Sequence, residues 1–181
     1  MKPFEATEQP DSAPYLPVQL ANTFIERYGQ TADIDHMKLQ KLMYYAYGWW
    51  LALRDTPLIS AKPQVWKLGP VFRPVYSAFA SHRGEPIKDL KKVDPFSPPY
   101  TIPVESEGAK VVDWIWDRYG HYTGIELSEK THEVGTPWHN KVKELNFVVP
   151  KFLELDDAEI RPYFYDLGVK EGFIDRRELA H

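Results

Sequence analysis

Residues 37–54, MKLQKLMYYAYGWWLALR, form the longest apolar-rich run in the chain. On a helical wheel its apolar side chains cover most of the circumference and leave a narrow face that carries Lys38 and Lys41. A helix that is apolar on nearly every side is surrounded by other elements rather than lying on a surface. We therefore predict a central buried helix around which the rest of the chain is arranged.

Three residues within this run carry separate expectations. Gln40 falls among apolar positions, so we expect a buried amide with a specific hydrogen-bond partner. Gly48 costs about 1 kcal/mol relative to alanine in a helix, which indicates close approach by another backbone. Lys41 lies on the narrow polar face, so we expect it to reach a binding partner or a neighbouring carboxylate.

Composition limits the class of protein. The chain has 181 residues, 43% of them hydrophobic and 14% aromatic, enough for one domain with a substantial core. Its net charge of −4 makes nucleic-acid binding an unfavoured function. Cysteine is absent, the N-terminus has no apolar signal core, and the longest apolar run is too short to span a membrane, so we expect a cytoplasmic protein that does not bind membranes.

The predicted organisation is a disordered tail over residues 1–14, one domain over 15–170 and a frayed end over 171–181. Hydrophobic periodicity predicts helices near residues 15–28, 37–54, 74–82, 105–119, from 125 onward and 158–167. A short strand at 64–68 is expected to pair with another segment at a sheet edge. The predicted fold class is mainly α (α+β): a single compact helical domain around the central helix, with a small two- or three-stranded β element.

Candidate catalytic and metal-binding residues are few. His132, Glu133 and His139 lie close together in sequence, but their spacing is not H-E-x-x-H and a Gly-Pro turn separates the histidines. We favour a structural role, in which His132 and Trp138 tie this turn to the core. No nucleophile elbow or phosphate-binding loop is present, so we predict no catalytic, cofactor-binding or metal-binding residues. A metal-dependent enzyme that uses these three residues remains the alternative.

Three blocks, MKLQKLMYYAYGWWLAL, VWKLGPVFRPVYSAF and YGHYTGIELSEKTHEVGTPW, together resemble the Panacea domain of SocA-like antitoxins, a family that includes phage- and mobile-element-associated proteins. The positions that carry the resemblance and that we assign to the scaffold are Leu39, Gln40, Leu42, Tyr44, Gly48, Trp49, Trp66, Gly69, Pro70, Thr131, His132, Pro137 and Trp138. At Leu68 the family often has an aromatic residue, so partner choice is expected to differ here.

The resemblance implies an antitoxin that neutralises a co-encoded toxin by binding it, with no catalytic residues. It also leaves open an adaptor that delivers the toxin to a protease, and homo-oligomerisation. For the partner-binding face we predict Lys41, Lys67, Phe72, Arg73 and Tyr76, because aromatic and cationic residues lie there beside the predicted sheet edge.

Overall fold

The computed structural model describes residues 13–175, and within this range it contains seven α-helices and a two-stranded antiparallel sheet. The elements in chain order are α1 (Pro17–Tyr28), α2 (His36–Arg54), β1 (Gln64–Trp66), β2 (Gly69–Val71), α3 (Arg73–Phe79), α4 (Glu107–Tyr119), α5 (Gly124–His132), α6 (Pro137–Glu144) and α7 (Asp157–Lys170). This confirms the predicted mainly helical fold with a small β element. None of these helices is long and apolar enough to cross a membrane.

Helix α2 is the centre of the domain, as predicted. It packs against α1, α3, α4, α5, α7 and strand β2. Asp35 caps its N-terminus, since the carboxylate accepts a hydrogen bond of 2.7 Å from the backbone N–H of Lys38. Every residue from His36 to Ala52 except Met37 is buried, because neighbouring elements surround the helix on every side.

The predicted narrow polar face of α2 does not exist in the structure. Lys38 and Lys41 are 7% and 1% exposed. The Lys38 ammonium donates a hydrogen bond of 2.7 Å to the carbonyl oxygen of Gly120 at the end of α4. A long lysine side chain reaches a backbone carbonyl across a helix interface, so both amines are accommodated without exposure to solvent.

Gly48 allows a close approach, but by a side chain and not by a backbone as predicted. A methyl group added at Gly48 would overlap the ring of Phe164 on α7. Phe164 also makes edge-to-face contacts with Tyr44 and Trp49, at ring-centroid distances of 5.8 and 5.6 Å. The glycine therefore sets the distance between the central and the last helix.

Gly135 and Pro137 interrupt the helical region, as predicted. Helix α5 ends at His132, and Pro137 begins a further helix, α6, which the sequence did not predict. The hydroxyl of Thr136 caps α6 by accepting a hydrogen bond of 3.2 Å from the backbone N–H of His139. Helix α6 has only eight mostly polar residues, too few for a clear apolar periodicity.

The two ends of the described range are held by the domain. Tyr15 exchanges backbone hydrogen bonds of 2.9 Å with Leu58 and Ser60, whereas most of the predicted N-terminal tail, residues 1–12, lies outside the described residues. At the other end, Phe173 packs against Trp49 with ring centroids 5.9 Å apart. Ile174 also packs against the core, and the frayed end expected from Glu171 stays a prediction, since residues 176–181 lie outside the described range.

Candidate partner-binding surface

Strands β1 and β2 form a tight hairpin whose turn reaches the surface. Trp66 pairs with Gly69, so Lys67 and Leu68 alone form the turn, and both are exposed. Gly69 has a φ of +97°, a value that side-chain-bearing residues rarely adopt. A Cβ atom there would also lie 2.5 Å from Oγ1 of Thr131 and 2.9 Å from Cε of Lys41. The Gly69-Pro70 pair is therefore required by both backbone conformation and space.

Side chains from α2, α5 and α6 hold this hairpin through its carbonyl oxygens. The contacts are Trp138 Nε1 to Trp66 O at 2.9 Å, His132 Nε2 to Lys67 O at 3.1 Å, Ser128 Oγ to Leu68 O at 2.8 Å, Lys41 Nζ to Pro70 O at 3.0 Å and Gln40 Nε2 to Phe72 O at 3.3 Å. Each of these side chains reaches a backbone carbonyl between Trp66 and Phe72. Polar residues of the first and third sequence blocks thus position the turn of the second.

Both edges of the hairpin are covered. On one side the Gln40 amide also accepts a hydrogen bond of 2.8 Å from the backbone N–H of Phe72. On the other side Val65 N–H donates to Leu153 O at 2.7 Å, and Leu155 N–H donates to Pro63 O at 2.8 Å. The predicted sheet edge is therefore not free to pair with a strand of a partner, and recognition at this face depends on side chains.

The structure divides the five predicted partner-binding residues. Lys67, Arg73 and Tyr76 are exposed, and the Arg73 guanidinium lies 4.4 Å from the ring centre of Phe152. Phe72 is fully buried and packs edge-to-face against Tyr47, so its assignment to the surface is wrong. Lys41 is buried beneath the hairpin, and among the described residues its amine bonds to Pro70 O and to no carboxylate, which corrects its assignment to an outward face.

Three cavities lined by described residues surround the hairpin turn. We call residues 66–68, together with the residues that line these cavities, the hairpin surface. The first, about 520 Å³, lies between α2 and α3 and is lined by His36, Lys41, Lys67, Tyr76 and Arg83 among others. The other two are mainly apolar: one of about 500 Å³ is lined by Trp66, Trp138, Phe147 and Phe152, and one of about 450 Å³ by Leu68, Ile125 and His132.

Several large apolar side chains of the hairpin surface are exposed to solvent. Leu68 is 53% exposed, Ile125 66%, Phe147 71% and Phe152 60%. A concentration of exposed apolar groups beside cations is typical of a protein-binding surface. Phe147 and Phe152 were not predicted as surface residues. The run of a phenylalanine and two valines at 147–149, in a short segment between helices, did indicate an apolar group at the surface.

The first cavity is lined by basic side chains, and burial makes the charged forms of those on its floor costly unless a counter-ion is bound. Burial lowers the pKa of the Lys41 ammonium from its ordinary 10.5 to about 7, and burial likewise lowers the pKa of His36. Among the residues that line this cavity are the cations Lys41, Lys67 and Arg83, but no aspartate or glutamate. The cavity is therefore suited to an anionic group.

The residues of the metal hypothesis do not form a ligand cluster. The two ring nitrogens of His132 face the carbonyl oxygens of Ser128, at 2.6 Å, and Lys67, at 3.1 Å, so neither points to open space. The His132 ring also stacks on Trp138, with centroids 3.8 Å apart. Within residues 13–175, no three His, Cys, Asp or Glu side chains are grouped so that they could hold a metal ion.

The structure therefore defines a helical domain that presents a firmly held hairpin turn, and comparison with known proteins identifies the family. Residues 39–139 match the family model described as antitoxin SocA-like, Panacea domain, which covers more than half of the chain. The chain belongs to this family. The matched range contains the hairpin and all five side chains that hold it.

One curated relative is antitoxin SocA of Caulobacter vibrioides (strain NA1000 / CB15N), to which the chain is 29% identical over 110 residues. The match spans 58% of this chain and 58% of the length of that relative. No solved structure matches the chain.

Proposed function

We propose that the protein is a cytoplasmic antitoxin that neutralises a co-encoded toxin by direct binding, and that the hairpin surface is its interface. Membership of the SocA-like, Panacea-domain family supports this role. The observation that carries the proposal is the set of five side chains that hold the hairpin carbonyls, because these contacts keep the exposed turn in one conformation. A preorganised surface loses less conformational entropy when it binds.

The hairpin surface has the composition that a protein interface needs. Leu68 and Phe147 supply exposed apolar area. Tyr76, and Arg73 next to the surface against Phe152, are residue types enriched at the energetic centres of interfaces. The covered strand edges limit the mode of binding to side-chain contacts in the three cavities. Direct steric blocking of the toxin requires no chemistry from these residues.

The first experiment tests the function. We expect the product of the adjacent open reading frame to arrest growth when it is expressed alone, and co-expression of this protein to restore growth and to yield a purifiable complex. A harmless neighbour, or a neighbour that stays toxic in the presence of this protein, would contradict the proposal. Blocking also predicts that the toxin accumulates in the rescued cells; a protease adaptor would instead reduce its amount.

The second experiment tests the surface. We expect Leu68→Asp to weaken toxin binding at least about tenfold, because it places a charge on an apolar contact. Val104→Asp is the matched control, since Val104 is 66% exposed and lies outside the hairpin surface. The double variant Arg73→Ala/Tyr76→Ala should show a similar loss. Equal affinities of Leu68→Asp and Val104→Asp, with unchanged melting temperatures, would place the interface elsewhere.

A further inference from the structure

The first of the three cavities, which we call the cationic pocket, combines aromatic walls with a polar floor. The ring of Tyr76 lies between His36 and Trp66, with centroid distances of 4.8 and 4.7 Å. Lys67 and Arg83 stand at the exposed rim, and Gln40 and Lys41 lie at the floor. The volume of about 520 Å³ is sufficient for an amino-acid side chain.

Two polar groups of this pocket are buried and short of partners. The Lys41 ammonium is 1% exposed and makes one hydrogen bond within the described part of the chain, to Pro70 O, although an ammonium has three N–H donors. His36 is 7% exposed, and its Nε2 atom has no hydrogen-bond partner among residues 13–175. Buried polar groups are normally satisfied, so both groups indicate that a ligand completes the pocket.

Charge and shape select the ligand. Among residues 13–175, the lining contains Lys41, Lys67 and Arg83 but no aspartate or glutamate, so an anion is favoured. A carboxylate has two acceptor oxygens, enough for the amine of Lys41 and an N–H of His36. The apolar walls formed by Met37, Leu68 and Val71 match the methylene groups that an aspartate or glutamate side chain carries and that an inorganic anion lacks.

We propose that the cationic pocket receives an acidic side chain of the protein partner, which anchors the complex beside the hairpin turn. This inference rests on the proposed antitoxin function and adds the chemistry of recognition. The carboxylate pairs with Lys41 and His36 at the floor, and Lys67 and Arg83 attract it at the rim. The toxin therefore carries an aspartate or glutamate that becomes buried in the complex.

Charge reversal at the rim tests the proposal, with the toxin from the adjacent open reading frame as the binding partner. Both Lys67 and Arg83 are exposed, so the variants Lys67→Glu and Arg83→Glu should stay folded; circular dichroism and thermal melting check this. We expect each to raise the dissociation constant at least about tenfold. Lys92→Glu and Lys143→Glu change the net charge equally at exposed sites outside the pocket and should change it less than about twofold.

The outcomes separate the pocket from the function. If wild-type protein binds and neutralises the toxin but all four variants bind equally, the pocket proposal is wrong and the antitoxin function stands. If wild-type protein does not bind the toxin at all, the antitoxin function itself fails. Restored binding of Lys67→Glu or Arg83→Glu by an Asp→Lys or Glu→Lys change in the toxin would identify the inserted side chain.

A small probe tests the pocket without the toxin. We expect the side-chain carboxylate of N-acetylglutamic acid α-amide to produce saturable NMR shifts of the ring protons of His36 and Tyr76, and its neutral glutamine counterpart to produce none. Equal shifts with both compounds, or none with either, would contradict carboxylate recognition. The glutamate compound could shift these protons while the glutamine compound does not, and the rim variants could still bind the toxin like wild type. This combination would overturn the assignment of the pocket to a protein partner.

Discussion

Lys41 shows how burial changes the properties of a single residue. Its ammonium lies beneath the hairpin and hydrogen bonds to Pro70 O, and the pKa is lowered to about 7 by the loss of hydration, with no acidic neighbour to oppose this effect. The free energy of unfolding must therefore depend on the protonation of this group. The same amine that weakens the fold is available to an incoming carboxylate.

Stability should rise with pH because of Lys41. Below pH 7 the folded protein carries the full cost of the buried ammonium. Between pH 7 and 10.5 the Lys41 amine is deprotonated in the folded chain but still protonated in the unfolded chain. Unfolding must then take up a proton, so it becomes less favourable as pH rises. We compare the free energies of unfolding of Lys41→Met and wild type at each pH. The advantage of the variant should be larger at pH 7 than at pH 9, by on the order of 2–3 kcal/mol. Urea unfolding of both proteins measures this difference.

The comparison isolates Lys41 for two reasons. The loss of a donor to Pro70 O costs the variant about 1–3 kcal/mol, but this cost is the same at both pH values. His36, which lies in the same pocket and has a lowered pKa, is already neutral in both proteins across this range. A difference between variant and wild type that does not change with pH would contradict a neutralised Lys41.

At the scale of elements, the hairpin depends on distant parts of the chain. Its two strands have three residues each, too short to be stable by themselves. Side chains from α2, α5 and α6 add hydrogen bonds to it, and Ser128 and His132 reach the two turn carbonyls. The position of the turn is therefore a property of the packed helices.

The hairpin turn should be much less tolerant of substitution than another turn of similar backbone conformation. Gly69 and Gly135 have φ values of +97° and +93°, but an added Cβ would contact Thr131 and Lys41 only at Gly69, while Gly135 has open space. We expect Gly135→Ala to cost about 1 kcal/mol, from backbone strain alone, and Gly69→Ala about 3 kcal/mol or more. Chemical denaturation of both variants gives the two values; equal losses would contradict close packing beneath the turn.

At the scale of the whole molecule, the packing of α7 against α2 closes the core. Phe164 fills the space above Gly48, and Phe173 after the end of α7 contacts both Trp49 and Trp114. The salt bridge between Arg118 and Glu171 adds a further connection to α4. The C-terminal segment therefore stabilises the central helix.

Gly48→Ala should destabilise the protein even though alanine favours a helix. We expect a net loss of about 1–3 kcal/mol, because the added methyl group displaces Phe164. In a Phe164→Leu background the smaller side chain leaves room, so the same substitution should cost far less. A double-mutant cycle from urea unfolding measures this coupling. Gly84→Ala, at an exposed glycine with no atom near its added Cβ, is the control and should change stability by less than about 0.5 kcal/mol.

The sequence by itself determined the features that depend on local chemistry. The apolar pattern of residues 37–54 predicted the central helix, and the Gly-Pro turn between His132 and His139 indicated a break between elements. Periodicity and capping act over a few residues, so they can be read along one chain. The three sequence blocks also resembled the family that the comparison later identified.

The tertiary structure alone decided which side chains meet. The helical wheel placed Lys41 on an outer face because lysine is polar, but the hairpin and its neighbours cover that face. His36 and Arg83 join Lys41 in one pocket although nearly 50 residues separate the first from the last. Contacts between residues so distant along the chain arise only when helices pack, and no local periodicity encodes them.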